Sequence, residues 1–188
     1  MRHDIVRSDG RIVVRPFVTE DAQSFFAAVR ESVESLSYWF PWCYPGYSQT
    51  DAESWIRYCL QSWESNAEYP MGIFDAATGN CLGGTGINHL SRAYNFGNLG
   101  YWVRESRRAN GIASAAARFA TDIAFTELKL TRLEIFVLPH NVSSQHVAEK
   151  LGATREGIAR NRLLFQGRPS DAIAYSLIPS DLFANEGR

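Results

Sequence analysis

The chain has 188 residues, 45% of them hydrophobic and 21% charged, and a formal net charge of −1. Those values suit one globular domain, 1–188, with a core of its own. They exclude a nucleic-acid surface built on net basic charge, and no apolar run approaches the roughly 20 residues needed to span a bilayer.

The start, Met1-Arg2-His3-Asp4-Ile5, lacks the apolar stretch of a secretory leader. Cys43, Cys59 and Cys81 form no Cys-x-x-Cys pair and have no histidine at zinc spacing. They read as free thiols of a reducing cytosol, so a cytoplasmic protein with no metal and no membrane partner is expected. Residues 12–17 read as a first strand that ends near Pro16. Thr19 can cap a helix whose face carries Ala22, Phe25, Phe26 and Val29, spaced at the helical period. The aromatic stretch 38–47 contains two prolines and a glycine and reads as a loop. Thr50-Asp51-Ala52-Glu53 is a capping-box pattern that opens a helix to about Ser62.

Residues 71–75 and 81–90, with a turn between them, look like an antiparallel hairpin, and 99–103 continues the meander. An alanine-rich helix is expected over 112–128. Residues 133–138, apolar except for Glu134, read as a strand buried on both faces. A helix over 141–151 ends at Gly152, a good residue to follow a helix. Strands at 158–165 and 172–177 flank a turn at Gln166-Gly167. The expected fold is α+β: a mixed, mostly antiparallel sheet of about seven strands with helices on both faces. The strand–helix–strand unit at 99–138 makes its parallel central pair.

Two segments carry the functional signal. Arg107-Arg108-Ala109-Asn110-Gly111-Ile112-Ala113-Ser114 lies between a strand and a long helix. Glycine there lets backbone approach a ligand closely, and the first N–H groups of the helix point outward. Such a turn holds phosphate, although a purely structural turn with solvated arginines has the same pattern. Behind the next strand comes Asn141-Val142-Ser143-Ser144, whose helix closes with Lys150-Leu151-Gly152. The order strand, Arg-x-x-Gly-x-Ala, helix, strand, Asn-x-x-Ser, helix resembles the GNAT superfamily of acetyl-CoA-dependent N-acetyltransferases. Within it the chain looks like the RimJ/RimL-type branch, which acetylates N-terminal amines of ribosomal proteins and related substrates. Gly100-Tyr101-Trp102, Ala124-Phe125 and Glu156-Gly157 stand where that branch tends to have them. The resemblance spans roughly 12–177.

It implies that acetyl-CoA is the cosubstrate and that the backbone from Arg108 through Ala109, Asn110, Gly111, Ile112 and Ala113 to Ser114 holds its pyrophosphate. A bulky residue at 113 would sit where phosphate must go. Trp102 and Val103 would border the cofactor, and Asn141, otherwise an N-cap, would bond the pantetheine arm. Ser144 is the candidate general acid. The expelled thiolate derives from a thiol of pKa about 8.5, and the tyrosine that many members place four residues later is Ala148 here. The branch often has glutamate two residues before Gly100, where this chain has Asn98. His89 and Glu105 are therefore substitute candidates for the base, beside a water relay. Trp39, Trp42 and Tyr44 are read as a clamp for the acceptor, with Glu31 and Glu34 attracting its ammonium form. Hydrophobic packing and a solvated helix face explain the same residues as well.

The leading expectation is an enzyme that acetylates a primary amine by direct attack, most of all the α-amine of a ribosomal or other protein N-terminus. Alternatives are an N-acetyltransferase of a small amine (an aminoglycoside, polyamine or metabolite) and a catalytically weak, CoA-binding regulatory domain. A homodimer is left open.

Overall fold

The computed structural model describes residues 5–183, so the Met1–Asp4 stretch considered for a leader lies outside the described residues. Eight strands are found among them: β1 Arg7–Ser8, β2 Ile12–Pro16, β3 Tyr69–Asp75, β4 Cys81–Ser91, β5 Phe96–Val103, β6 Arg132–Val137, β7 Thr154–Phe165 and β8 Arg168–Leu177. The helices are α1 Ala22–Glu31, α2 Val33–Trp39, α3 Gln49–Ser65, α4 Ile112–Thr126, α5 Val142–Lys150 and α6 Pro179–Phe183. The strands form one sheet in the order β1-β2-β3-β4-β5-β6-β8-β7. Only β5 and β6 run parallel. The eighth strand, beyond the seven expected, is the two-residue β1, too short to carry an alternating pattern.

The sheet has a core on each face. One joins α4 and α5 to β2–β6 through Ala116, Ala120, Ile123, Leu99 and Ile135. The other joins α1 and α3 through Phe17, Phe25, Val29, Ile56 and Phe74. Helix α4 is buried nearly all round, and its alanines bring its axis close to the strands.

Three local expectations are corrected. Tyr38 and Trp39 belong to α2 rather than to a loop. That helix runs until Phe40, which precedes Pro41 and is extended at φ −123°, ψ 119°. Helix α3 is capped two residues earlier than expected. Ser48 Oγ accepts from Asp51 N at 3.3 Å, and the Asp51 carboxylate accepts from Ser48 N at 2.8 Å. Strand β6 is fully buried on one face only, with Leu133, Ile135 and Val137 inside. Charged groups cover its other face: Arg162 lies 3.9 Å over the Phe136 ring, and Arg132 bridges Glu134 and Glu156.

The parallel pair is brief. It runs from Phe96↔Arg132 to Asn98↔Glu134 and stops. Strand β5 continues to Val103 against β4, whereas β6 continues to Val137 against β8. The two strands therefore part at their carboxyl ends. Between them opens a notch, with the 108–111 turn and the start of α5 at its mouth.

Candidate active site

The turn into α4 is built from left-handed backbone. Ala109 has φ 60° and Gly111, the N-cap, has φ 73°. Ala115 N bonds Gly111 O, so the first intrahelical bond begins there. The preceding N–H groups of the first turn have no helical acceptor. Residues 105–111 are exposed. A Cβ built on Gly111 meets nothing within 4 Å. Open space above a glycine, aligned N–H groups and the positive end of a 15-residue helix fit a phosphate-bearing cosubstrate.

The α1–α2 junction braces this turn from behind. Glu31 pairs with Arg104 and accepts from Ser106 N at 2.9 Å. Ser32 Oγ accepts from Glu105 N at 2.9 Å. Ser35 Oγ lies 2.8 Å from Glu105 Oε2 and accepts from Arg108 Nη2 at 2.8 Å. Arg104 and Ser106 hold the Glu31 carboxyl down at about 2. Glu31, expected beside the acceptor, is thus engaged with Arg104 and Ser106. Glu105, a candidate base, is engaged with α2. Glu34 is exposed on α2.

Ser144 stands at the notch. Asn141 caps α5, its Oδ1 accepting from Ser144 N at 3.1 Å. The Tyr101 hydroxyl, reaching from β5, lies 3.0 Å from both the carbonyl oxygen and the Oγ of Ser144. Burial pushes the Tyr101 phenol up to about 12. It therefore stays protonated and donates a hydrogen bond. Tyr101 was legible only as part of the Gly100-Tyr101-Trp102 run, and its tie to Ser144 was missed.

A cavity of about 270 Å³ lies over the β3–β5 part of the sheet. Its rings come from Phe17, Phe25, Phe40, Trp42, Trp55, Tyr101 and Trp102, and Gly84, Gly86 and Gly100 also line it. Gly84 pairs with Trp102 and Gly86 with Gly100, so the floor lacks side chains where the rings need room. Asn88 also lines it and accepts from Asn98 Nδ2 at 2.8 Å. The Asn98 position is thereby tied up in an amide pair on the floor. Glu68 is the one charged residue of the lining. Sequence reasoning missed Glu68, Trp55, Phe25 and Asn88, which share no spacing pattern and meet only through folding.

Trp42 lines this cavity and Trp39 does not. Trp39 stacks on His140 at 5.4 Å between centroids and lies 6.1 Å from Phe165, so it belongs to a second ring cluster. The Tyr44 hydroxyl donates to Asp51 at 2.7 Å, away from the lining. His89 is exposed in a bulge of β4 at φ 49°, also outside the lining.

The cysteines are buried, and burial raises all three thiols, Cys81 to about 12. None is a ready nucleophile. Among the described residues, no group of three or more His, Cys, Asp or Glu is placed to hold a metal ion, and no helix is long and apolar enough to cross a membrane.

Comparison with known proteins gives a consistent result. A family model described as an acetyltransferase (GNAT) domain matches residues 11–154. The candidate N-acetyltransferase YjcK of Bacillus subtilis (strain 168) is 34% identical over 119 residues, which cover 63% of this chain and 66% of YjcK. A structure of a candidate ribosomal-protein-serine acetyltransferase from Vibrio cholerae is 31% identical, with TM-score 0.79, covering 95% of this chain and 100% of that one. Mycobacterium smegmatis RimJ, solved with a CoA-disulfide, is 25% identical, with TM-score 0.80, covering 94% and 87%.

Proposed function

The chain belongs to the GNAT acetyltransferase family, and on that premise we propose that it acetylates the α-amine of a protein N-terminus. The acetyl donor is acetyl-CoA, as for the family. The observation that carries the reading is the meeting of three features at one notch. They are the open phosphate turn, the Tyr101–Ser144 pair and the mouth of an aromatic cavity beside Gly100. The resemblance to a structure described as a ribosomal-protein-serine acetyltransferase, 31% identical over 95% of the chain, supports an N-terminus over a free small amine.

The N–H groups from Ala109 to Ser114 hold the pyrophosphate, because that of Arg108, expected among them, already donates to Glu105 O at 3.2 Å, and Asn141 faces the pantetheine arm. Beyond Asn98 the β5 edge that faces β6 has no ladder partner, so it offers main-chain groups to an extended amide chain. Trp102 and Val103 lie on that edge. The amine nitrogen attacks the thioester carbonyl, the C–S bond breaks, one N–H proton is lost and the sulfur gains one. Ser144 Oγ protonates or hydrogen-bonds the departing sulfur, and Tyr101 holds Ser144 in place. An α-amine has a pKa of about 7.7–8, so a neutral fraction is present near pH 7. Its proton leaves through ordered water past the Asn88–Asn98 amide pair rather than to a carboxylate at position 98.

The test is CoA release measured over a panel of N-terminal peptides and small amines, with mass spectrometry locating the acetyl group. Acetylation of peptide α-amines is expected. Turnover confined to polyamines or other small amines would replace the acceptor. No turnover with any amine, beside normal CoA binding, would leave a binding domain.

A further inference from the structure

The cavity contains a feature that direct acetyl transfer does not use. Glu68 is half-buried beside Phe25, Trp42 and Trp55, the single charged side chain of that lining. Its Oε2 accepts from the Tyr58 hydroxyl at 2.8 Å. Among the described residues, no lysine, arginine or histidine lies within salt-bridge distance of it. Glu31 and Asp21, by contrast, pair with arginines. A half-buried carboxylate at the edge of an apolar cavity, with no basic neighbour, is stabilised by a cation. The rings of Phe25 and Trp55, stacked on each other at 6.5 Å, wall the cavity beside it.

The register sets how far Glu68 stands from the reacting end. Gly100 pairs with Gly86, and Gly86 pairs with Pro70. Glu68 lies two residues back along the chain from Pro70. Two strand spacings and two residue rises separate its backbone from Gly100 by about 12 Å. A glutamate side chain spans less than half of that, and direct proton transfer needs about 2.6–3.2 Å between heavy atoms, so Glu68 is badly placed to take the proton of an amine that attacks beside Gly100. It is well placed to hold a different charge on the same acceptor.

We propose that Glu68, with the ring wall of Phe25 and Trp55, binds a second cationic group on the acceptor, separate from the amine that is acetylated. On the N-terminal reading above, on which this rests, the acceptor is a peptide with lysine or arginine within its first three residues.

The test uses three peptides that differ only at position two, Ser-Lys, Ser-Ala and Ser-Glu, with the whole enzyme and its Glu68→Gln variant. Wild type is expected to favour the lysine peptide over the alanine peptide by about five- to tenfold in kcat/KM, with the glutamate peptide worst. In Glu68→Gln the lysine-to-alanine ratio is expected to fall to near one. Tyr58→Phe, which keeps the carboxylate, is expected to retain the ratio. Equal use of all three peptides by wild type would overturn the proposal while leaving the acetylation of N-termini intact, and so would an unchanged ratio in Glu68→Gln. If no peptide is acetylated, the N-terminal reading fails, and tryptophan fluorescence titrated with lysinamide decides the rest. Quenching lost in Glu68→Gln supports the cation site, and no saturable quenching overturns it.

Discussion

The two halves of the site are made in different ways. The proposed phosphate turn is one contiguous segment, and the groups it offers are backbone N–H donors shaped by Ala109 and Gly111. The proposed acceptor cavity gathers side chains and bare backbone from α1, α3, β3, β4, β5 and the segment after α2. A backbone site needs a local conformation, which a few residue types enforce. A side-chain site needs distant elements to meet. Substitutions should therefore separate into effects on acetyl-CoA and effects on the amine.

The strongest test of that separation is Gly111→Glu. The new carboxylate would point into the open space above the turn and oppose phosphate at close range. CoA affinity should fall by at least about 100-fold by calorimetry. Gly111→Ala controls for the φ of 73°, whose left-handed backbone costs about 1–2 kcal/mol. It should lower the melting temperature but retain much of the affinity. Unchanged affinity in a folded Gly111→Glu protein would remove the cosubstrate from this turn.

Next in size is Ser144→Ala, which should lower kcat by about 100-fold with little change in KM for acetyl-CoA, when chemistry limits the rate. Tyr101→Phe removes one hydrogen bond and should lower kcat by about five- to tenfold. A wild-type kcat in both variants would reduce the pair to packing.

Trp42 and Trp39 break or keep the comparison from the acceptor side. Trp42→Ala should raise KM for the amine by about 2- to 30-fold and spare acetyl-CoA. Trp39→Ala should lower the melting temperature with no selective rise in amine KM, because its ring stacks on His140 outside the cavity. The opposite pattern would move the acceptor to the second ring cluster.

The smallest effect concerns the brace. The Glu31 carboxyl is depressed from 4.5 to about 2 in the folded protein. Its contribution to stability is therefore present above about pH 4.5 and is lost as pH falls toward 2. Thermal melts of wild type and Glu31→Gln should differ most near neutral pH and converge in acid, and CoA affinity should weaken a few-fold in the variant. A constant difference at every pH would mean that the pairing with Arg104 contributes nothing.

The sequence was most legible where structure is local. The Arg108-x-x-Gly111-x-Ala113 turn, the Asn141 cap and the Gln166-Gly167 hairpin, with φ values of 49° and 74°, are each set by a few neighbours. The aromatic stretch was legible as an acceptor candidate only in bulk. Nothing local distinguishes Trp42, which faces the cavity, from Trp39, which helix α2 turns toward His140. Glu31 was misplaced for a related reason. Its charge is visible in the sequence, but Arg104, 73 residues away, decides where it points. Glu68 gave no signal because its meaning depends on the absence of a basic neighbour in space.

The account rests on the cosubstrate and the acceptor occupying different parts of the molecule. A crystal structure with acetyl-CoA tests that most directly. The pyrophosphate should lie on the N–H groups that follow Gly111, and the thioester should reach the notch between Gly100 and Ser144. The cavity between Trp42 and Trp55 should stay open for the amine. Acetyl-CoA lodged among those rings, with the 108–114 turn bare, would contradict the assignment of both halves.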